Sequence, residues 1–133
     1  MPNSIKSFED LDCWKSCRDL RVDLSKMIKK FPDKEKFLLA DQIVRASRSV
    51  TNNIAEGYGR YHYKENAQFC RQSRGSLFEL IDHLIIALEE SYITKKEYEN
   101  VRRLIDKSLA LLNGYINYLR KVVEKDLQLT NNS

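Results

Sequence analysis

The stretch SVTNNIAEGYGR, residues 49–60, sets two asparagines, a glutamate, two glycines and an arginine between two long helical patterns. Such a segment is read either as a phosphate-cradling loop or as the end of a helix. A phosphate loop requires its glycines between a strand and the N-terminus of a helix, where unpaired N–H groups face the anion. Here the residues leading in are Ala40, Ile43, Ser47, Val50 and Ile54, spaced three or four apart as on one face of a helix. Gly57 therefore falls at a helix C-terminus, where carbonyls are left over and the electrostatics oppose a phosphate. The expectation is that Gly57 takes the left-handed conformation that closes the helix and Gly59 gives the reversal, with Arg60 near the helix's negative end.

Outward from this corner the same periodicity gives four helices. The segment ending in the glycines spans about 34–56. Before it, Ser7 caps a helix over about 8–31 that carries Leu11, Trp14, Cys17, Leu20, Leu24, Ile28 and Phe31 on one stripe, and FPD at 31–33 breaks it. After the corner, a helix over about 64–92 aligns Phe69, Ser73, Leu77, Leu80, Leu84 and Leu88. The fourth, over about 95–125, opens with the capping box TKKE at 94–97 and continues through Val101, Ile105, Ser108, Leu112, Tyr115 and Leu119; residues 126–133 read as a frayed tail. With only four glycines and two prolines in 133 residues, there is too little punctuation for many short strands. The predicted fold is all-α: one domain, an up-down-up-down four-helix bundle.

The longest apolar run is the five residues Leu84–Leu88, and MPNSIKSFED at the N-terminus has no apolar signal core. A cytoplasmic protein with no membrane span is expected. Cys13, Cys17 and Cys70 are read as reduced thiols, since three cannot all pair within one chain. No cofactor or metal is expected. Neither His62 nor His83 has the glutamate three positions earlier that a di-iron bundle requires, and Cys13 and Cys17 make at most half a metal site. No nucleophile has a companion base, so the sequence predicts no enzyme.

The charge is more telling than its total of +4. From Gln42 to Phe78 six basic residues (Arg45, Arg48, Arg60, Lys64, Arg71, Arg74) face two acids, whereas Glu79 to Glu99 holds six acids against Lys95 and Lys96. Projected at 100° per residue, the second helix puts Arg45, Arg48, Asn52 and Glu56 opposite its apolar face, as a ridge running down to the glycine corner. That ridge is either a solvated face or a contact surface for RNA or for another copy of the chain; arginine and asparagine suit both partners. On the third helix Phe78, Ile85 and Ile86 lie well off the core stripe, with Arg71 and Asp82 beside them; this is either a broad core face or, as the favoured expectation, an oligomer interface. On the fourth, Leu104, Leu111 and Tyr118 recur beside the main seam. Tyr58, Tyr61, His62 and Tyr63 alternate with Arg60 and Lys64 around the corner, a pattern that serves either to stack RNA bases or to cover the end of the bundle.

SFEDLDCWKSCRDL, DQIVRASRSVTNNIAEGYGR and RQSRGSLFEL together resemble the four-helix-bundle proteins encoded in intervening sequences of bacterial 23S rRNA genes, over roughly residues 8–121. The middle segment carries the likeness most specifically, through Gln42, Arg45, Ser49, the run Asn53–Gly57, Gly59 and Arg60. The resemblance implies a homopentamer of up-down bundles, akin to the accessory protein of diversity-generating retroelements, which binds nucleic acid and a reverse transcriptase. It brings no catalytic residues. The resulting expectation is an RNA-binding homo-oligomer, with Arg45, Arg48, Asn52, Arg60, Lys64, Arg71 and Arg74 as nucleic-acid contacts. The alternative is a scaffold that binds a protein partner such as a reverse transcriptase.

Overall fold

The computed structural model describes residues 5–132. Four helices make up the fold: α1 Asp12–Met27, α2 Leu39–Gly59, α3 Tyr63–Glu89 and α4 Lys95–Asn132. Helix α1 packs on α2 and α4, and α3 packs on α2 and α4, so consecutive helices are neighbours around a square, as short connections demand. Ile43, Ile54, Leu77, Leu80, Leu84, Ile105 and Leu112 fill the centre and are fully buried. Three small polar residues on the apolar stripes bond between helices: Ser16 Oγ lies 2.7 Å from Ser108 Oγ across α1 and α4, and Ser73 Oγ donates to the Val50 carbonyl at 2.7 Å. A buried hydroxyl costs stability unless it is bonded, so these contacts fix which helices pair.

Several boundaries differ from the sequence reading, each for a local reason. Ser7 and Asp10 form a capping box around a 3₁₀ turn, Phe8–Asp10, and the chain becomes extended at Leu11 (ψ 127°), which turns that side chain into the core before α1 begins. At the other end α1 tightens into a 3₁₀ turn, Ile28–Lys30, before Pro32. A further 3₁₀ turn, Asp33–Glu35, and the exposed Phe37 and Leu38 delay α2 to Leu39. The third helix ends at Glu89 because Ser91, at φ 61°, reverses the chain and lets the Tyr92 N–H reach the Ala87 carbonyl at 2.9 Å. The capping box at α4 forms as expected: Glu97 N–H donates to Thr94 Oγ1 at 3.1 Å and Thr94 N–H to Glu97 Oε1 at 3.0 Å. The segment expected to fray instead continues α4 to Asn132, and its side chains from Glu124 to Asn131 are exposed. Ser133, the last residue of that segment, lies outside the described residues.

The glycine corner corrects the sequence reading most clearly. Neither Gly57 nor Gly59 is left-handed; both belong to α2, and the residue at positive φ is Tyr61, at 58°. Gly57 is required by space. A Cβ there would sit 2.8 Å from Asn66 Oδ1, 2.9 Å from Phe69 Cβ and 3.0 Å from the Asn66 carbonyl oxygen. The α2–α3 seam is tight at this point. It continues upward through Asn53, which donates to the Ser49 carbonyl at 2.9 Å, and through Ser49 Oγ, 2.9 Å from Ser76 Oγ on α3.

Candidate nucleic-acid interface

With the inner face of α2 consumed by Ser49, Asn53 and Gly57, its outer face presents the expected ridge. Arg45, Arg48, Asn52 and Glu56 are all exposed. The arginines differ in how they are held. Arg45 Nε lies 2.8 Å from Asp41 Oδ2, and Arg60 Nη2 lies 2.7 Å from Glu56 Oε1 while its guanidinium sits 5.1 Å from the Phe69 ring centroid. Both pairs stay within one helical segment, where an exposed i,i+4 pair is worth only about 0.3–0.5 kcal/mol and leaves the arginine free to exchange partners. Arg48, Asn52, Lys64 and Arg71 are exposed, and their side chains have no hydrogen-bond or ion-pair partner among the described residues. Arg74 stands apart: it is half-buried, and Nη1 donates to Asn113 Oδ1 at 2.8 Å, tying α3 to α4.

The structure joins Arg48 to cations that the sequence reading did not select. A groove of about 300 Å³ runs between α1 and α2, with Arg21, Lys26, Lys29 and Arg48 on its walls, and no carboxylate lines it. Its floor is aliphatic, formed by residues such as Ile43 and Val44. Arg21 Nη1 donates to Thr51 Oγ1 at 2.7 Å, and Thr51 Oγ1 donates in turn to the Arg48 carbonyl at 3.3 Å. One guanidinium is thus held by a neutral hydroxyl against the helical turn that carries the other. No charge is cancelled. Gathering like charges without a counter-charge costs stability, and a bound anion offsets that cost.

Arg21, Ser25 and Lys29 are spaced i, i+4, i+8 along one line of α1, a signal present in the sequence. Which flank of α1 meets α2 and which meets α4 depends on the hand of the bundle, and one sequence does not give it. On the third helix Phe78, Ile85 and Ile86 are 56%, 38% and 37% exposed, outside the core as expected. The second stripe of α4 differs: Leu104, Leu111 and Tyr118 are partly buried against the core and so belong largely to a broad inner face.

The groups with most potential for chemistry do not gather into one site. Burial pushes the thiols of Cys13, Cys17 and Cys70 up to about 12, so they stay protonated. His83 Nε2 lies 3.2 Å from Glu79 Oε2. Among the described residues no three His, Cys, Asp or Glu side chains gather as a metal site, and no helix is long and apolar enough to cross a membrane.

The chain is similar to a solved protein of unknown function from the S23 ribosomal protein family of Bacteroides thetaiotaomicron. The two share 20% identity and a TM-score of 0.73, and the match covers 79% of this chain and 95% of that one. At that identity the likeness establishes the bundle and nothing more. No functionally curated protein matches the chain. The family model described as 23S rRNA-intervening sequence protein matches residues 9–114, which takes in α1, α2 and α3 whole and the first half of α4. The chain therefore belongs to the 23S rRNA-intervening sequence protein family.

Proposed function

We propose that the chain is a non-enzymatic RNA-binding protein of the bacterial cytoplasm that holds structured ribosomal or precursor RNA mainly through its phosphates. The observation that carries this reading is the α1–α2 groove, where four cations gather without a carboxylate. Arg48 links the groove to the outer ridge of α2, and Lys64 and Arg71 extend the basic surface along α3. The family's name, which refers to ribosomal RNA, agrees with a polyphosphate ligand.

Lys26 and Lys29 are exposed and have no ion-pair partner among the described residues, so their neutralisation tests the groove without unfolding the bundle. Lys26→Gln/Lys29→Gln should weaken RNA binding about tenfold or more in fluorescence anisotropy at low salt, as expected when two phosphate contacts are lost. Lys107→Gln/Lys121→Gln, on the exposed side of α4, changes net charge equally and should leave affinity nearly intact. Equal effects of the two pairs would reduce the interaction to net charge and remove the groove as the site.

The exposed Phe78, Ile85 and Ile86 favour assembly of copies through α3, and the resemblance to pentameric bundles sets the proposed number at five. On the alternative scaffold reading the arginines serve subunit or protein contacts, with a partner such as a reverse transcriptase. Arginine variants would then disrupt assembly while RNA affinity stayed unchanged.

A further inference from the structure

The reversal between α2 and α3 encloses a recess that the phosphate-binding groove does not use. Six residues line its roughly 190 Å³: Tyr58, Tyr61, His62, Tyr63, Asn66 and Tyr115. Five of the six are aromatic. At its base Asn66 is buried, and its Nδ2 donates to Tyr115 Oη at 3.0 Å. The Tyr115 hydroxyl accepts that bond, and its own proton has no acceptor among the described residues. A donor therefore remains unspent in a chamber walled by aromatic rings. At the rim Tyr61 is 88% exposed and held at φ 58°, an unfavourable conformation for a bulky residue that the helix ends on either side impose. Tyr63 is also exposed, and neither ring packs on another aromatic or makes a hydrogen bond among the described residues. Arg60 and Lys64 flank these tyrosines in sequence, and both are exposed.

We propose that this recess takes one unpaired nucleobase of an RNA strand, stacked on the tyrosines, with the adjoining phosphates met by Arg60 and Lys64. Every base has a π-face for the rings, and a carbonyl or ring nitrogen of the base would accept from Tyr115. A base inside a continuous duplex cannot enter. The ligand class is therefore RNA with a loop, bulge or single-stranded end. The inference rests on the RNA-binding reading above, and adds selection for unpaired bases to the phosphate contacts of the α1–α2 groove.

The test compares an RNA hairpin with an unpaired loop and a blunt RNA duplex of equal length, by anisotropy, on wild type and on Tyr61→Ala/Tyr63→Ala. Both side chains project into solvent, so thermal unfolding should show an intact bundle. The double variant should bind the hairpin about tenfold or more weakly, as loss of base stacking predicts, while duplex affinity stays at its wild-type value. The salt slope for the hairpin should not change, because no phosphate contact is removed. Equal weakening of both probes, no weakening of either, or a change in oligomer mass as the only effect would overturn the recess as a base site. If Lys26→Gln/Lys29→Gln weakens both probes while the tyrosine variant does nothing, this inference falls and RNA binding stands. If wild type binds neither probe, both readings fall.

Discussion

Gly57 and Gly59 are two residues apart in the same helix and do different things. A methyl at Gly57 collides with the Asn66 backbone and Phe69, whereas nothing lies within 4 Å of one added at Gly59. Gly57→Ala should therefore destabilise the bundle by about 1–3 kcal/mol, the usual cost of overpacking, and Gly59→Ala should be neutral or slightly stabilising. Urea unfolding of the two variants checks the contrast; equal effects would mean that α2 and α3 are not in close contact at this turn. Tyr61 gives the opposite sign. Replacing it by glycine removes the left-handed strain at a side chain that packs on little, and should raise stability by about 0.5–1 kcal/mol. A loss of stability on that change would show the tyrosine to be a structural cover. The three thiols add a pH dependence. Each is raised from the ordinary 9.0 to about 12 by burial, so its contribution to stability is intact below pH 9 and is lost as pH climbs toward 12. The urea midpoint should fall across that window, and iodoacetamide should label none of the cysteines in the native protein at pH 8.

The helices themselves were the most legible part of the chain. Spacings such as Ile43, Ser47, Val50, Ile54 and Val101, Ile105, Ser108, Leu112 report burial directly, and each of these residues is buried. The ends were less legible because they depend on tertiary choices. Leu11 leaves the helix to reach the core, and Gly57 stays inside α2 because α3 lies against it. The candidate site was half legible. Arg48 and Asn52 face outward as projection requires, but the cations on α1 join Arg48 only through the side-by-side packing of α1 and α2. Arg74, which the charge run grouped with the ridge, is tied across to Asn113. Arg74→Ala should accordingly cost about 1 kcal/mol of stability, a typical value for one hydrogen bond. The last turns of α4 touch no core residue from Glu124 onward, so truncation after Val123 should leave the urea midpoint of the bundle unchanged. A large fall would show that the extension is packed against another copy.

At the scale of the whole molecule, the chain separates its basic, aromatic and apolar surfaces by face. The basic groove lies between α1 and α2, the recess lies at the α2–α3 end, and the apolar strip of Phe78, Ile85 and Ile86 lies on α3 among Glu79, Asp82 and Glu89. An apolar strip rimmed by acids repels RNA and suits a protein surface, so assembly and RNA binding can occur together. Ile85→Glu should lower the mass found by light scattering and leave the fold intact, since that side chain is outside the core. If phosphates neutralise the groove, the salt dependence of RNA affinity in the wild-type protein reads it most directly. With four groove cations each meeting a phosphate, the log–log slope should be at least as steep as about −3, and steeper where Arg60 and Lys64 also engage. A slope near zero, or no association even in dilute buffer, would contradict it.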